Sequence, residues 1–109
     1  MNELSALKKN LLHYLDEMHA IDLVCIDVRE QTSITDEMII CSGRSSRHVK
    51  SIATTVLEKM KHDGYPAFSK TGIEHGEWAL LDFGEIILHV MQPDSRAFYN
   101  LEELWQPAD

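Results

Sequence analysis

Two aspartates and a serine-glycine pair are the residues of this chain whose types and surroundings could support chemistry. Ser42 and Gly43 stand between an apolar run and a segment with helical spacing that begins with two arginines. Backbone N–H groups at the start of a helix attract anions, so a phosphate group could bind at this junction. Asp27 interrupts one apolar run and Asp82 ends another. Carboxylates of this kind are the side chains that hold catalytic metal ions.

The junction at Ser42 and Gly43 resembles the phosphate cradle of nucleotidyltransferases. Two-metal nucleotidyl transfer needs two closely placed carboxylates, usually two acids separated by one residue on the strand after the cradle. Neither Asp27 nor Asp82 has a second acid two residues later. We therefore expect no catalytic residue and no cofactor, and a degenerate or minimal nucleotidyltransferase-like enzyme that binds nucleotide stays as the alternative function.

Six histidines raise the question of a metal site. His13 and His19 are six residues apart in a segment with helical spacing, so they do not share one face, and the other four are scattered. The chain also lacks a Walker loop, a Gly-x-Ser-x-Gly elbow and a dinucleotide fingerprint. We predict no metal site.

Charge is distributed unevenly along the chain. The formal net charge is −8, and the third from Glu74 to Asp109 holds eight acids and a single base, Arg96, while residues 38–57 contain no acid. An acidic surface repels bare phosphate, so a basic protein partner is favoured over primary nucleic-acid binding. Acidity that only keeps the protein in solution is the alternative.

The acid-free segment opens with basic residues that oppose the dipole of the predicted helix. Such side chains indicate a partner other than the helix itself, and solvated charge is the alternative. The candidates for an RNA or anion contact are Arg44, Arg47 and His48. His48 could instead orient the start of the helix.

Hydrophobic spacing predicts a single domain over residues 1–109, with elements ordered α-β-β-α-β-β-β-α. The predicted elements are a helix at Leu4–Met18, strands at Leu23–Val28 and Glu37–Ser42, a helix with an apolar stripe from Val49 to Met60, strands at Ala67–Ser69, Glu77–Asp82 and Glu85–Met91, and a helix at Tyr99–Trp105. The first two strands read as near-continuous apolar runs and are expected to be covered on both faces. This order predicts an α/β fold, a mixed β-sheet with helices packed against it.

Both cysteines, Cys25 and Cys41, lie inside apolar runs and outside any Cys-x-x-Cys pair, so we expect buried, reduced thiols. No run approaches the roughly 18 apolar residues that span a bilayer, and the N-terminus lacks the pattern of a signal peptide. A cytoplasmic protein without membrane contact is therefore expected.

The last two predicted strands carry the clearest candidate binding surface. A two-residue turn at Phe83 and Gly84 would place Trp78 opposite His89. The other cross-strand pairs would be Asp82 with Glu85 and Leu80 with Ile87. Alternation then assigns one face to the core, with Ala79, Leu81, Ile86, Leu88 and Val90. The candidate partner-binding residues occupy the second face: Trp78, Leu80, Asp82, Glu85, Ile87, His89 and Met91.

An aromatic and apolar centre with acids towards the edge is typical of a protein interface. The alternative is that the terminal helix covers this face and makes Trp78 part of the core.

These segments together resemble the bacterial ribosomal silencing factor S family, also called the Iojap family. The resemblance runs from residue 4 to Trp105 in the family's order. It is carried by residues 33–49, Gly76-Glu77-Trp78, Asp82-Phe83-Gly84, residues 88–91 and residues 96–105. The chain departs from the pattern at Glu74-His75-Gly76-Glu77, where relatives often have a Ser-Ala-Asp-type lead into the tryptophan.

The resemblance implies a nucleotidyltransferase-like fold without that activity. Members of the family bind the large ribosomal subunit through its ribosomal protein fourteen, obstruct its joining with the small subunit and so slow translation; some form homodimers. For this chain the resemblance implies a translation repressor that is not an enzyme, with docking through Trp78, Asp82 and the surrounding hairpin face and a minor contact to ribosomal RNA.

The residues that match the family's pattern are Asp36, Ser42, Gly43, Arg47, His48, Trp78, Asp82, Gly84, His89, Arg96, Tyr99, Leu101, Glu102 and Trp105. Mostly structural duties are expected for Asp36, Gly43, Gly84, Tyr99 and Trp105.

Overall fold

The computed structural model describes residues 5–105, and the predicted helix start at Leu4 lies outside them. The elements are α1 (Ala6–Glu17), β1 (Ile21–Asp27), β2 (Glu37–Ser42), α2 (Ser46–His62), β3 (Ser69–Thr71), β4 (Trp78–Asp82), β5 (Ile86–Met91), α3 (Pro93–Tyr99) and α4 (Leu101–Leu104). The predicted order is confirmed with one addition: α3, which was not predicted, precedes the predicted terminal helix. Tyr99 ends α3 instead of starting the terminal helix, because Asn100 adopts a left-handed conformation with φ of 49°. A left-handed residue ends an α-helix, so the chain restarts at Leu101.

Side-chain caps define the starts of the two long helices. Ser5 accepts a hydrogen bond from the Lys8 N–H, and Ser45 accepts one from the His48 N–H, both at 3.1 Å. Each cap satisfies a backbone donor that has no partner within the helix. Beyond the end of α2, Gly64 has φ of 96°, a conformation that glycine adopts without strain.

The five strands form one mixed sheet in the order β1-β2-β5-β4-β3, in which β2 and β5 are parallel and the other neighbours are antiparallel. Helices α1 and α2 pack on one face of this sheet, called the helical face. Fully buried residues of the sheet there are Ile39, Cys41, Ala79, Leu81, Leu88 and Val90, and they meet Leu11, Leu15, Ile52 and Val56 of the helices. The predicted fold class, a mixed sheet with helices packed against it, is confirmed.

Strand β1 lies at an edge of the sheet, and the expectation that both its faces are covered is wrong. Four of its seven residues are exposed, including Cys25, whose expected burial is also wrong. An edge strand has only one neighbour, a circumstance that the apolar run does not reveal. Cys41 on β2, which has a neighbour on each side, is fully buried as predicted, and burial raises the pKa of its thiol to about 12.

The β4–β5 turn lies one position later than predicted. The Phe83 N–H donates to the Ile86 carbonyl at 2.9 Å, so the two loop residues are Gly84 and Glu85. Gly84 has φ of 89°, and a positive φ is what the first loop position of such hairpins requires. The observed pairs are Trp78 with Met91, Leu80 with His89, and Asp82 with Ile87, so the predicted pairs are wrong by two residues. A shift of two preserves alternation, and the strand side chains stay on their predicted faces.

Candidate docking face

The sheet face that points away from α1 and α2 is called the open face. Its central residues are Val24, Ile26, Met38, Ile40, Ile87, His89, Met91, Trp78, Leu80 and Asp82. Leu101 and Trp105 of the C-terminal segment pack over the part formed by Ile26, Met38 and Ile40. The segment from Leu101 to Trp105 therefore covers one side of the open face, around β1 and β2.

The seven candidate binding residues differ in accessibility. Trp78, Leu80 and Asp82 on β4 are half-buried, and Glu85 is exposed in the turn. On β5, Ile87 is 9% exposed, while His89 and Met91 lie deeper. The accessible part of the open face is therefore the β4 side, between Trp78 and the turn.

Four side-chain rings form a row that leads from the core to the surface. The ring of His89 lies 5.9 Å from Trp78, Trp78 lies 4.8 Å from Tyr99, and Tyr99 meets Phe98 nearly edge-on at 5.1 Å between centroids. Exposure increases along the row, from 4% at His89 to 52% at Tyr99 and 82% at Phe98. The half-buried Trp78 is thus continuous with two exposed aromatic side chains.

Tyr99 was expected to be structural, and Phe98 was absent from the candidate binding residues. A signal for both exists in the chain, because they are adjacent within a helical segment and adjacent helical side chains point about 100° apart. One short helix therefore cannot turn both rings into the sheet. The contact with Trp78 depends on the position of α3 in space, which spacing along the chain does not specify.

His89 is the buried end of this aromatic row. Its Nδ1 accepts a hydrogen bond from the Trp78 Nε1–H at 3.0 Å, and its Nε2 is buried without a partner among the described residues. Burial lowers the pKa of His89 from its ordinary value of 6.5 to about 4. The imidazole is therefore neutral at pH 7.

Acidic side chains lie at the turn end of β4. One carboxylate oxygen of Asp82 accepts a hydrogen bond from the Gly84 N–H at 2.8 Å, which closes a local turn. Glu85 is exposed beside it. Asp82 thus supports the hairpin and also contributes negative charge to the edge of the open face.

The segment before β4 is held tightly at several points. A Cβ atom at Gly72, where φ is 81°, would lie 2.0 Å from the Trp78 carbonyl oxygen, so the backbone passes too close for a side chain. Gln92 holds the same segment, because its N–H donates to the Glu77 carbonyl at 3.0 Å and its Nε2–H to the Gly76 carbonyl at 2.8 Å. These contacts set the position of the Trp78 backbone.

The start of α2 adjoins that segment. A Cβ atom at Gly76 would lie 2.4 Å from the Ser46 carbonyl oxygen. Arg44 and Arg47 are exposed, and neither takes part in an ion pair among residues 5–105. His48 orients the helix start: its Nδ1 accepts from the Arg44 N–H and its Nε2–H donates to the Met18 carbonyl, both at 2.9 Å. Its ring nitrogens are therefore both engaged within the chain.

The serine-glycine junction is closely filled. Ser42 is buried, and its hydroxyl accepts from the Arg96 guanidinium at 3.0 Å, while Arg96 pairs with Glu102 at 2.6 Å. A Cβ atom at Gly43 would lie 2.8 Å from the Val49 nitrogen. The serine and the backbone at this junction contact other parts of the chain.

Asp27 and Asp82 lie far apart. Asp27 pairs with Arg29 at 2.6 Å, which holds the pKa of that carboxyl at about 2. The strand order and register put the two aspartates on opposite faces and three strand spacings apart, roughly 14 Å. No three His, Cys, Asp or Glu side chains within residues 5–105 are placed to bind one metal ion.

Among residues 5–105, none of the helices combines the length and the apolar character that a bilayer crossing requires.

Comparisons with known proteins give a consistent result. The family model described as "Ribosomal silencing factor during starvation" matches residues 1–109. The chain is 42% identical over 100 residues to "Ribosomal silencing factor RsfS" of Haemophilus influenzae, and the matched region covers 92% of this chain and 98% of that protein. It is 32% identical over 98 residues to "Mitochondrial assembly of ribosomal large subunit protein 1" of Mus musculus, and the matched region covers 87% of this chain and 43% of that protein. A crystal structure of a protein from Chromobacterium violaceum matches with a TM-score of 0.90 at 33% identity, covering 99% of this chain and 91% of that one.

Proposed function

This chain belongs to the ribosomal silencing factor family, and we propose that it binds the large ribosomal subunit through ribosomal protein fourteen and sterically blocks association with the small subunit. The proposed result is repression of translation in the cytoplasm, without catalysis. The supporting observation is the row of aromatic rings that emerges from the open face at Trp78, Tyr99 and Phe98.

The aromatic row has the composition of an interface centre. Two strongly exposed rings, Phe98 and Tyr99, lie beside the half-buried Trp78 on the accessible side of the open face. Exposed apolar side chains that lie together on a small protein mark interaction sites. Tryptophan and tyrosine are also enriched among the residues that contribute most to binding energy. We therefore place the centre of the docking surface at these rings, with Leu80 beside them.

The charge around this centre favours a basic partner. Asp82 and Glu85 lie at the turn end of β4, and Glu102 and Glu103 follow the aromatic pair of α3 along the chain. The segment from Glu74 to Asp109 contains eight acids and one base. Opposite charge across an interface speeds association and excludes like-charged partners. A basic ribosomal protein fits this requirement, whereas bare RNA phosphate does not.

A minor contact to ribosomal RNA is proposed at the start of α2. Arg44 and Arg47 are exposed there, and the helix start adjoins the segment that leads into Trp78. We propose that these cations contact RNA next to ribosomal protein fourteen when the protein is docked. His48 contributes to this contact by orienting the helix start.

Size supports obstruction as the mechanism. The Cα atoms extend over 35 × 34 × 22 Å, so even the thinnest dimension separates two surfaces by far more than atomic contact distance. A body of this size that is seated on the joining face of one subunit would exclude the other.

The test combines sedimentation with subunit joining. Labelled protein should co-sediment with purified large subunits and not with small ones, and it should lower the joined fraction when added before the subunits are mixed. Addition after joining should have little effect, because a passive obstacle cannot reach a covered face. If the protein splits joined ribosomes as fast as it prevents joining, steric obstruction is the wrong mechanism.

A matched pair of phenylalanines maps the docking surface. Phe98 is 82% exposed at the aromatic row, and Phe68 is 78% exposed beside Gly84 at the opposite end of β4. Phe98→Ala should weaken large-subunit binding, and Phe68→Ala should leave it nearly unchanged. The reverse result would move the docking centre to the turn.

The apolar patch also supports the homodimer that the family resemblance implies, in which two copies would cover each other's aromatic rows. Concentration-dependent sedimentation of the free protein tests this.

Magnesium-dependent nucleotide binding, measured by titration, would instead favour the nucleotidyltransferase-like alternative. The filled junction at Ser42 and the separation of Asp27 from Asp82 weigh against that alternative.

A further inference from the structure

The buried histidine at the base of the aromatic row has an arrangement that folding alone does not require. His89 lies on the central strand β5 and is 4% exposed. Every other residue of that strand is apolar. An apolar side chain at this position would pack on the open face and would bring no polar group of its own, so the histidine needs a separate explanation.

The hydrogen bond to Trp78 determines where the imidazole carries its proton. Nδ1 accepts from the indole N–H, so the neutral ring must hold its own hydrogen on Nε2. Nε2 is buried, and no described residue accepts that hydrogen. A buried donor without a partner destabilises the folded state. His89 therefore brings a destabilising buried donor at Nε2 together with a useful acceptor at Nδ1.

The acceptor at Nδ1 acts on the ring that anchors the exposed aromatic side chains. Trp78 is held at its N–H edge by His89, while its ring packs against Tyr99 at 4.8 Å. Tyr99 in turn contacts Phe98, the most exposed of the four rings. A fixed indole thus gives the two surface rings a fixed support. Side chains that are already ordered before binding lose less conformational entropy when the partner arrives.

We propose that His89 is a positioning residue for partner binding: its Nδ1 fixes the Trp78 indole and, through it, orders the Tyr99 and Phe98 rings for docking. This inference rests on the proposed function, because it assigns a task to a residue beneath the proposed docking surface. It goes further in naming a residue that is too deeply buried to form the centre of a contact. The low pKa of His89, caused by burial, keeps the acceptor lone pair available at neutral pH.

Two variants of His89 separate positioning from packing. His89→Asn retains an acceptor, because the asparagine Oδ1 occupies nearly the same place along the side chain as the histidine Nδ1. His89→Leu fills the site with apolar atoms and removes the acceptor at Nδ1 together with the donor at Nε2. The indole N–H signal of Trp78 is followed by NMR in the free protein, with Trp105→Phe used to assign it. Large-subunit binding and the thermal midpoint are measured for the same variants.

We expect His89→Leu to keep or raise the thermal midpoint, to shift the Trp78 indole signal and speed its exchange with solvent, and to weaken large-subunit binding by about three- to tenfold. His89→Asn should retain the wild-type indole signal and most of the affinity. Binding of His89→Leu at wild-type strength would overturn the proposal. A loss of binding in both variants that follows their loss of thermal stability would also overturn it, since His89 would then act only through packing.

The NMR measurement is independent of the ribosome. If wild-type protein fails to bind large subunits, the proposed function fails, while the indole signals still show whether Nδ1 orders Trp78. If wild-type protein binds and an unchanged indole signal accompanies His89→Leu, positioning by His89 is wrong and the proposed function stands.

Discussion

The β4–β5 hairpin has two faces of very different character. On the helical face Ala79, Leu81, Leu88 and Val90 are fully buried, and every one of these side chains is apolar. On the open face the strands carry Asp82, His89 and the indole of Trp78, and burial falls from Met91 on β5 to the half-buried residues of β4. Residues that are adjacent in sequence therefore meet opposite requirements.

The difference shows how a small domain combines stability with recognition. Apolar burial on the helical face stabilises the fold at no polar cost. The open face retains polar groups that are difficult to satisfy, as Nε2 of His89 shows, since it has no partner within residues 5–105. Such groups are conspicuous in a native structure because nearly all buried polar atoms have partners. A substitution on the helical face should therefore affect mainly stability, and one at the exposed part of the open face should affect mainly binding.

The largest expected effect is on the helical face. Leu81→Ala should lower the free energy of unfolding by about 2–5 kcal/mol, because it removes a fully buried side chain and leaves a cavity. Urea unfolding measures this change. Large-subunit binding by the remaining folded fraction should be nearly unaltered. A stable Leu81→Ala protein with weak binding would mean that the roles of the two faces are exchanged.

Acid should affect the open face through His89. Because its pKa is lowered from 6.5 to about 4, the unfolded chain binds more protons than the folded chain between these values. The free energy of unfolding is therefore unaffected by this histidine above about pH 6.5. As the pH falls from 6.5 towards 4, protonation of the unfolded chain lowers the free energy of unfolding by about 3 kcal/mol in total. Melting of the wild type and of His89→Leu is compared from pH 7 to pH 4. The difference between the two should change over this range, and parallel curves would contradict the assignment.

Tyr99→Ala should weaken large-subunit binding by about 2 kcal/mol, or roughly thirtyfold, as expected for a central interface tyrosine. Tyr99 is a sharper test than Trp78. Trp78 also packs against the buried cluster beneath α4 and bonds His89, so Trp78→Ala should lower stability together with binding. A Tyr99→Ala protein that binds normally would place the docking centre away from the aromatic row. Its thermal midpoint should stay close to that of the wild type, since the ring is 52% exposed.

The assignment of hairpin residues to the helical face or the open face can be predicted from the sequence, because alternation along a strand is a local property. The separation of Leu81 from Trp78 and Asp82 survives the error in the predicted turn, since a register shift of two residues moves no side chain to the other face. The apolar stripe of α2 and its serine cap are equally local and were predictable from spacing. Features that depend on residues within one or two turns of each other are thus specified by short segments.

Features that depend on distant neighbours were not predictable in this way. Cys25 lies in an apolar run but on an edge strand, and the strand order that exposes it arises from pairing across the whole chain. The contact between Tyr99 and Trp78 joins residues of α3 and β4, and neither this contact nor the 52% exposure of Tyr99 can be derived from spacing along the chain. That Nε2 of His89 finds no partner in the described part of the chain likewise becomes apparent only when its surroundings are known.

The smallest expected effect concerns charge at the edge of the open face. Asp82→Asn keeps an oxygen that can accept from the Gly84 N–H but removes the negative charge, whereas Asp82→Lys would remove both. If the acidic edge guides the protein to a basic partner, Asp82→Asn should cost only about 0.2–1 kcal/mol of affinity, mainly through slower association. Attraction of this kind is screened over about 8 Å at physiological ionic strength, so association should slow as salt rises and the effect of the variant should diminish.

Asp16→Asn removes an exposed charge from α1, on the other side of the sheet, and serves as the matched control. Equal effects of the two variants, or an association rate indifferent to salt, would show that the acidic residues only keep the protein in solution, and recognition would then depend on the aromatic row alone.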